Sequence, residues 1–175
     1  IINKKNLDEK IIVFGNLPYN ISTKILASLI FLDKWPPWYD CLILMFQKEV
    51  AERIISETNK KNYGRLSILT SWKMNVKKII DVSPNSFYPI PKIKSTVLLI
   101  EPKKKIFNIQ NPKNLEHITN IFFNQRRKMI KKPMKQLFID YENKSKELKL
   151  DLNLRPQNLS VEKYLEICQL YEELS

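Results

Sequence analysis

Apolar residues fall along this chain in two kinds of run. Ile11-Ile12-Val13-Phe14 and Cys41-Leu42-Ile43-Leu44-Met45-Phe46 are short, unbroken and rich in branched side chains, which predicts buried strands of a parallel sheet. Between them Ile25, Leu26, Leu29 and Ile30 recur at helical spacing behind Ser22 and Thr23, either of which suits an N-cap. Trp35-Pro36-Pro37-Trp38 ends that helix. A second helix is expected from about Lys48 to Glu57. Strand, helix, strand, helix is the rhythm of an α/β domain. A helix from Tyr63 to Met74 and strands over Val76 to Val82 and Ser95 to Glu101 extend the pattern. Three prolines stiffen the loop Ser83 to Lys92 between those strands.

Beyond Pro102 the period changes. Lys103-Lys104-Lys105 and Asn111-Pro112 read as a linker. Leu115, Ile118, Ile121 and Phe122, then Met134, Leu137 and Phe138, then Val161, Tyr164, Leu165 and Cys168 mark helices. The expected organisation is an α/β domain over residues 1–107 and a small all-helical domain over 108–175.

Charge adds a partner to this picture. The net charge is +12, which fits nucleic acid, an acidic membrane surface, or simply a Lys- and Asn-rich proteome. Its distribution is more informative. Residues 103–135 hold ten Lys/Arg and a single acid, Glu116. The run Gln125-Arg126-Arg127-Lys128, followed by Lys131, Lys132 and Lys135, is expected to place cations on successive helical turns. A solvated helix would mix signs, so phosphate binding is favoured. No apolar run is long enough to span a bilayer, and polar residues follow Ile1-Ile2 at once, unlike a signal peptide. Cys41 and Cys168 are far apart and form no zinc spacing with His117, the single histidine. No membrane partner, no metal and a cytoplasmic setting are expected.

Candidate chemistry sits in two loops. Gly15-Asn16-Leu17-Pro18-Tyr19-Asn20 follows the first strand, where α/β proteins place ligands. An aromatic amine becomes nucleophilic when acceptors draw on its protons; the Asn16 side chain and the Leu17 carbonyl are suitable acceptors. Tyr19 can lie against a base taken out of its stack. Alone, the segment suits a plain strand-ending turn as well. Phe87-Tyr88-Pro89-Ile90-Pro91-Lys92 offers an aromatic platform beside Lys92 and Lys94, or an edge loop covering the core. Only two glycines occur, Gly15 and Gly64, so there is no glycine-rich nucleotide loop.

Six segments in order resemble the KsgA-type ribosomal RNA adenine dimethyltransferases. They are Gly15 to Ser22, Gln47 to Val50, Tyr63 to Ser67, Phe87 to Ser95, Phe123 to Lys128 and Arg155 to Ser160. The resemblance runs from about residue 11 onward. It implies the C-terminal part of a Rossmann-like methyltransferase sheet followed by a small helical domain. It further implies S-adenosylmethionine as cofactor, with Asn16, Leu17 and Tyr19 catalytic and Asn16 touching the cofactor. Tyr19 and Phe87 would be the stacking walls for the target base. Lys92, Lys94, Arg126, Arg127, Lys128, Lys131 and Lys132 would bind RNA, and the partner would be small-subunit rRNA or the immature 30S subunit. In that family the cofactor's glycine loop precedes the Asn-Leu-Pro-Tyr strand. This chain therefore resembles the C-terminal two-thirds of such an enzyme. It is expected to bind the cofactor very weakly or not at all, and its first strand to form an exposed apolar edge. Two alternatives stay open: a non-catalytic RNA-binding or ribosome-assembly module, and the related 23S rRNA adenine methyltransferase.

Overall fold

The computed structural model describes residues 10–174, and these form two units. The first takes the chain up to Ile55 and again from Lys73 to Ile106; the second takes Ser56–Trp72 and everything from Phe107 on. The sequence suggests one crossing near residue 107. Instead residues 56–72 join the C-terminal helices, and the chain crosses three times.

In the first unit, β1 (Ile12–Asn16), β2 (Cys41–Gln47), β3 (Met74–Val82) and β4 (Ser95–Pro102) form one sheet in the order β1-β2-β4-β3. β1 and β2 are parallel, and β4 runs antiparallel to both its neighbours. Register aligns Val13 with Leu42 and Gly15 with Leu44, while Leu42 and Leu44 meet Ile100 and Leu98. Leu42, Leu44, Phe46, Leu98 and Ile100 are fully buried on that face. Two helices bury their apolar stripes in the same unit: α1 (Ser22–Ile30) buries Leu26 and Ile30, and α2 (Lys48–Ile54) buries Ala51 and Ile54. A Cβ at Gly15 would stand 2.8 Å from a terminal methyl of buried Leu44, which would have to shift to admit it.

The opposite face differs from the expectation of buried strands. Ile12 and Phe14 are 48% and 72% exposed, and Ile43, Met45, Val97 and Leu99 beside them are half-buried. Among the described residues β1 pairs only with β2, so it is the open apolar edge that the family resemblance implied. Two helix boundaries also shift. α1 starts after Ile21 and has no side-chain cap; Ser22 lies inside the first turn, and its hydroxyl donates back to the Tyr19 carbonyl at 3.2 Å. α2 stops at Ile54, three residues short of the expected end.

In the second unit, α4 (Pro112–Phe123) packs on α7 (Val161–Glu173). Phe122 and Tyr164 meet edge to face at 5.3 Å, both fully buried. Asn111 and Ser160 cap the two helices through Lys113 and Lys163 N–H groups. Residues 56–72 are tied in by long-range bonds. The Tyr63 hydroxyl donates to the Leu159 carbonyl at 2.9 Å, and Asn59 N–H donates to the Gln157 carbonyl at 2.9 Å. Trp72 donates its indole N–H to the Phe107 carbonyl at 2.8 Å. Two short helices complete the unit, α5 (Lys131–Leu137) and α6 (Tyr141–Glu147). The remaining helix, α3 (Arg65–Lys73), begins in this unit and ends at the crossing into the first.

This buried hydroxyl and thiol chemistry sets an alkaline limit. Burial pushes the Tyr63 phenol up to about 12, against a lowering hydrogen bond from Thr58, and Glu162 raises it too. Burial also takes the Cys168 thiol to about 12 and holds Tyr164 well above its usual value. The unfolded chain releases these protons near pH 9–10, so between that point and about 12 it binds fewer protons than the folded unit. Stability is therefore full below about pH 9 and falls as pH rises towards 12. Tyr63→Phe should lower stability at pH 7 by about 1 kcal/mol through the lost bond to Leu159, yet decline less steeply above pH 10. Denaturant melts at several pH values check this; parallel declines for the two proteins would contradict it.

Candidate functional site

The carboxyl end of β1 runs directly into the first candidate loop. Asn16 is the last strand residue, and its exposed carboxamide hydrogen-bonds to none of the described residues. The turn that follows is closed by the Ile21 N–H donating to the Pro18 carbonyl at 3.1 Å, and Ser22 anchors its far side through Tyr19. The second loop leaves β3 through a short 3-10 turn, Pro84–Ser86. There the Ser83 hydroxyl accepts from the Asn85 N–H, and the Phe87 N–H donates to the Pro84 carbonyl. These bonds fix the backbone that carries Phe87. The Tyr88–Pro89 peptide is cis.

Both loops line one cleft of about 340 Å³, formed by Asn16, Leu17, Pro18, Tyr19, Phe87, Tyr88, Pro89 and Pro91. That size falls among small-molecule clefts. Its walls are aromatic and proline surfaces, and its polar handle is Asn16. The sequence-expected residues Asn16, Leu17, Tyr19 and Phe87 thus come together. Tyr88, fully exposed, joins them; the sequence places it in the aromatic loop without giving it a role of its own. Lys92 and Lys94 are exposed on the same loop but do not line the cleft.

The basic residues are organised differently from the expected helix. α4 ends at Phe123 and α5 begins at Lys131, so Arg126, Arg127 and Lys128 lie in the turns between. A groove of about 690 Å³ opens there. It is lined by Arg127, Lys128, Lys131, Lys132, Lys135 and Arg155, together with Gln125, Met129 and Asn153, with no acid among them. Arg155 was visible in the sequence only as part of a motif, because it lies far along the chain from Lys128. Arg126 faces elsewhere: its guanidinium donates to the Lys61 carbonyl, and its Nε donates to the Gln157 side chain at 3.3 Å. It clamps residues 56–72 to the Pro156–Asn158 turn and is not among the groove residues.

A cleft that presents one amide between aromatic walls, in a unit separate from a cation-lined groove, narrows the comparison with known proteins. Residues 1–173 match the ribosomal RNA adenine dimethylase family. The chain belongs to that family. A ribosomal RNA small subunit methyltransferase A from Pelagibacter ubique (strain HTCC1062) is 58% identical over 167 residues, covering 95% of this chain and 64% of that protein. The protein of the same description from Afipia carboxidovorans is 36% identical, covering 95% of this chain and 58% of its own length. The chain thus spans less than two-thirds of these relatives. Among solved structures, a dimethyladenosine transferase from Plasmodium falciparum superposes with a TM-score of 0.76 at 26% identity, over 97% of this chain and 70% of that one. The 23S rRNA methyltransferase ErmE, at 17% identity and a TM-score of 0.61, shares the fold alone. Within the family the expected fold class holds: part of a methyltransferase sheet, with helices following. Among the described residues, no helix is long and apolar enough to cross a membrane.

Proposed function

We propose that this chain is the base-gripping and RNA-binding part of an S-adenosylmethionine-dependent enzyme that dimethylates two adjacent adenines in a small-subunit rRNA hairpin. The observation that carries this reading is the single cleft shared by Asn16, Leu17, Tyr19 and Phe87. An adenine between Tyr19 and Phe87 would present its exocyclic amine to the Asn16 side-chain oxygen and the Leu17 carbonyl. Acceptance from the amine protons draws the nitrogen lone pair out of ring conjugation and aims it. S-adenosylmethionine supplies the electrophilic methyl group. The residues present fit one end of that cofactor: the Asn16 carboxamide, which hydrogen-bonds to none of the described residues and stands at the carboxyl end of a parallel strand, suits its methyl end. Neither Gly15 nor Gly64 stands in a glycine-rich loop.

The groove cations would hold phosphates of the immature small subunit, in the cytoplasm. Small-subunit rather than 23S rRNA is supported by the relatives described as small-subunit methyltransferases.

The test is a hybrid carrying residues 11–175 behind the preceding segment of the Pelagibacter relative. Incubated with immature small subunits and S-adenosylmethionine, it should produce dimethyladenine, read by mass spectrometry of the digested rRNA. RNA binding without any methylated adenine would sink the enzymatic reading.

A further inference from the structure

The Tyr19 ring is not left to find its own position. Its hydroxyl shares a 2.6 Å hydrogen bond with the hydroxyl of Ser95, 76 residues away. Ser95 is fully buried although it is a small polar residue, and Tyr19 is the side chain that engages it. The position of Ser95 is fixed from several sides. It opens β4, the strand between β2 and β3, and is level with Gln47 on one and Val82 on the other. One residue before it, the Lys94 carbonyl accepts from the Lys48 N–H at 2.9 Å. One residue after it, the Thr96 hydroxyl donates to the Asp81 carboxylate at 2.7 Å, and Lys78 holds that carboxylate at 2.6 Å. Ser95 is therefore a rigid post standing in the sheet, while Tyr19 is on a loop.

We propose that Ser95 is a positioning residue for base capture: its buried hydroxyl sets the plane of the Tyr19 ring before a base arrives. A phenol ring on a turn has two side-chain torsions to lose when it becomes a stacking wall. A tether at the far end of the ring removes that loss from the binding step, because the order already exists in the free protein. The hydroxyl of Tyr19 then serves orientation, and its ring face serves the base. This inference rests on the reading of the cleft as a base site, and the test separates the two.

The probe is a single-stranded oligoribonucleotide with 2-aminopurine in place of adenine, bound to the 175-residue chain. Quenching of 2-aminopurine reports stacking, and polarisation of a label at the far end reports total RNA affinity. Ser95→Ala should weaken the stacked state roughly threefold to tenfold, with total affinity unchanged within about twofold. Tyr19→Phe keeps the ring and loses the tether, so it should show the same weakening. Ser95→Ala added to Tyr19→Phe should change nothing more, because the partner hydroxyl is already gone. Ser95→Thr, which keeps a hydroxyl, should recover part of the stacking. A Ser95→Ala protein that quenches like the original overturns the inference, as does a Ser95→Ala effect of equal size on the Tyr19→Phe background. Should Ser95→Ala fail to fold, Tyr19→Phe decides alone, and normal quenching by it overturns the tether. Absence of quenching by the unaltered chain, with RNA still bound, overturns the base-site reading and this inference with it.

Discussion

Asn16→Ala should reduce methyl transfer by the hybrid enzyme about 10²–10³-fold, the usual effect of removing one preorganised hydrogen-bonding group from a reacting centre. The size follows from what the carboxamide does not do. It is exposed and makes no hydrogen bond with the described residues, so its removal leaves neither a cavity nor an orphaned partner. Backbone pairing of Asn16 with Met45 is untouched by a side-chain change. Melting temperature and RNA affinity should accordingly stay near those of the unaltered protein, while turnover collapses. Asn16→Asp keeps an acceptor and should retain more activity than Asn16→Ala. Equal loss of RNA binding, or a large drop in melting temperature, would instead assign Asn16 to the fold. Single-turnover rates with saturating RNA separate these outcomes.

Replacing Arg127, Lys128, Lys131 and Lys132 together by alanine should weaken RNA binding roughly a hundredfold near 50 mM salt. The slope of log affinity against log salt should also shrink by about 3 to 4, close to one unit for each phosphate no longer held. These four cations line one groove with Lys135 and Arg155, and their attraction for phosphate is the part of binding that salt screens. Arg126→Ala makes the opposite case, although Arg126 is adjacent in sequence. Its guanidinium holds the Lys61 carbonyl and the Gln157 side chain, so the expected effect is a lower melting temperature with RNA affinity within about twofold. Polarisation titrations from 50 to 300 mM salt distinguish the two variants. A flat salt response in the unaltered chain would remove the groove from RNA binding altogether.

β1, β2 and β4 could be read from the sequence because branched apolar runs between turn residues have few other uses, whereas β3 carries Asn75, Lys77, Lys78 and Asp81 among its apolar residues. That β1 pairs with β2 alone among the described residues followed only from the family resemblance, since Ile12 and Phe14 look like any buried pair. Domain membership of residues 56–72 was not legible: α3 shows the same helical period whichever core it joins. The partners of the residues just before α3, Leu159 for Tyr63 and Gln157 for Asn59, lie near the other end of the chain. Charge was legible as a total but not by role. Arg126 and Arg127 are identical letters, and what separates them is which turn faces Gln157. For the cleft, the Asn16–Tyr19 loop was visible as strand-end chemistry and Phe87 as a platform. Their meeting in one cleft depends on the sheet that brings the two loops together. The Tyr19–Ser95 bond depends on it too, so no local pattern could have announced either.

The interleaving of the two units also sets an order of events during synthesis. Residues 56–72 emerge from the ribosome well before the helices they pack with. Tyr63 in particular must wait for Leu159, 96 residues later, to find its acceptor. At typical elongation rates, about 5–20 residues per second, that is an interval of several seconds or more. Through it Tyr63, Ile68 and Trp72, all buried in the finished protein, have no completed core to enter. The sheet unit is different: its last strand is complete once Pro102 is made. Vectorial folding of this chain therefore finishes the sheet unit with its cleft first and the helical unit with its cation-lined groove last. A nascent chain stalled near residue 150 would carry a formed sheet and an apolar segment still waiting for its partner.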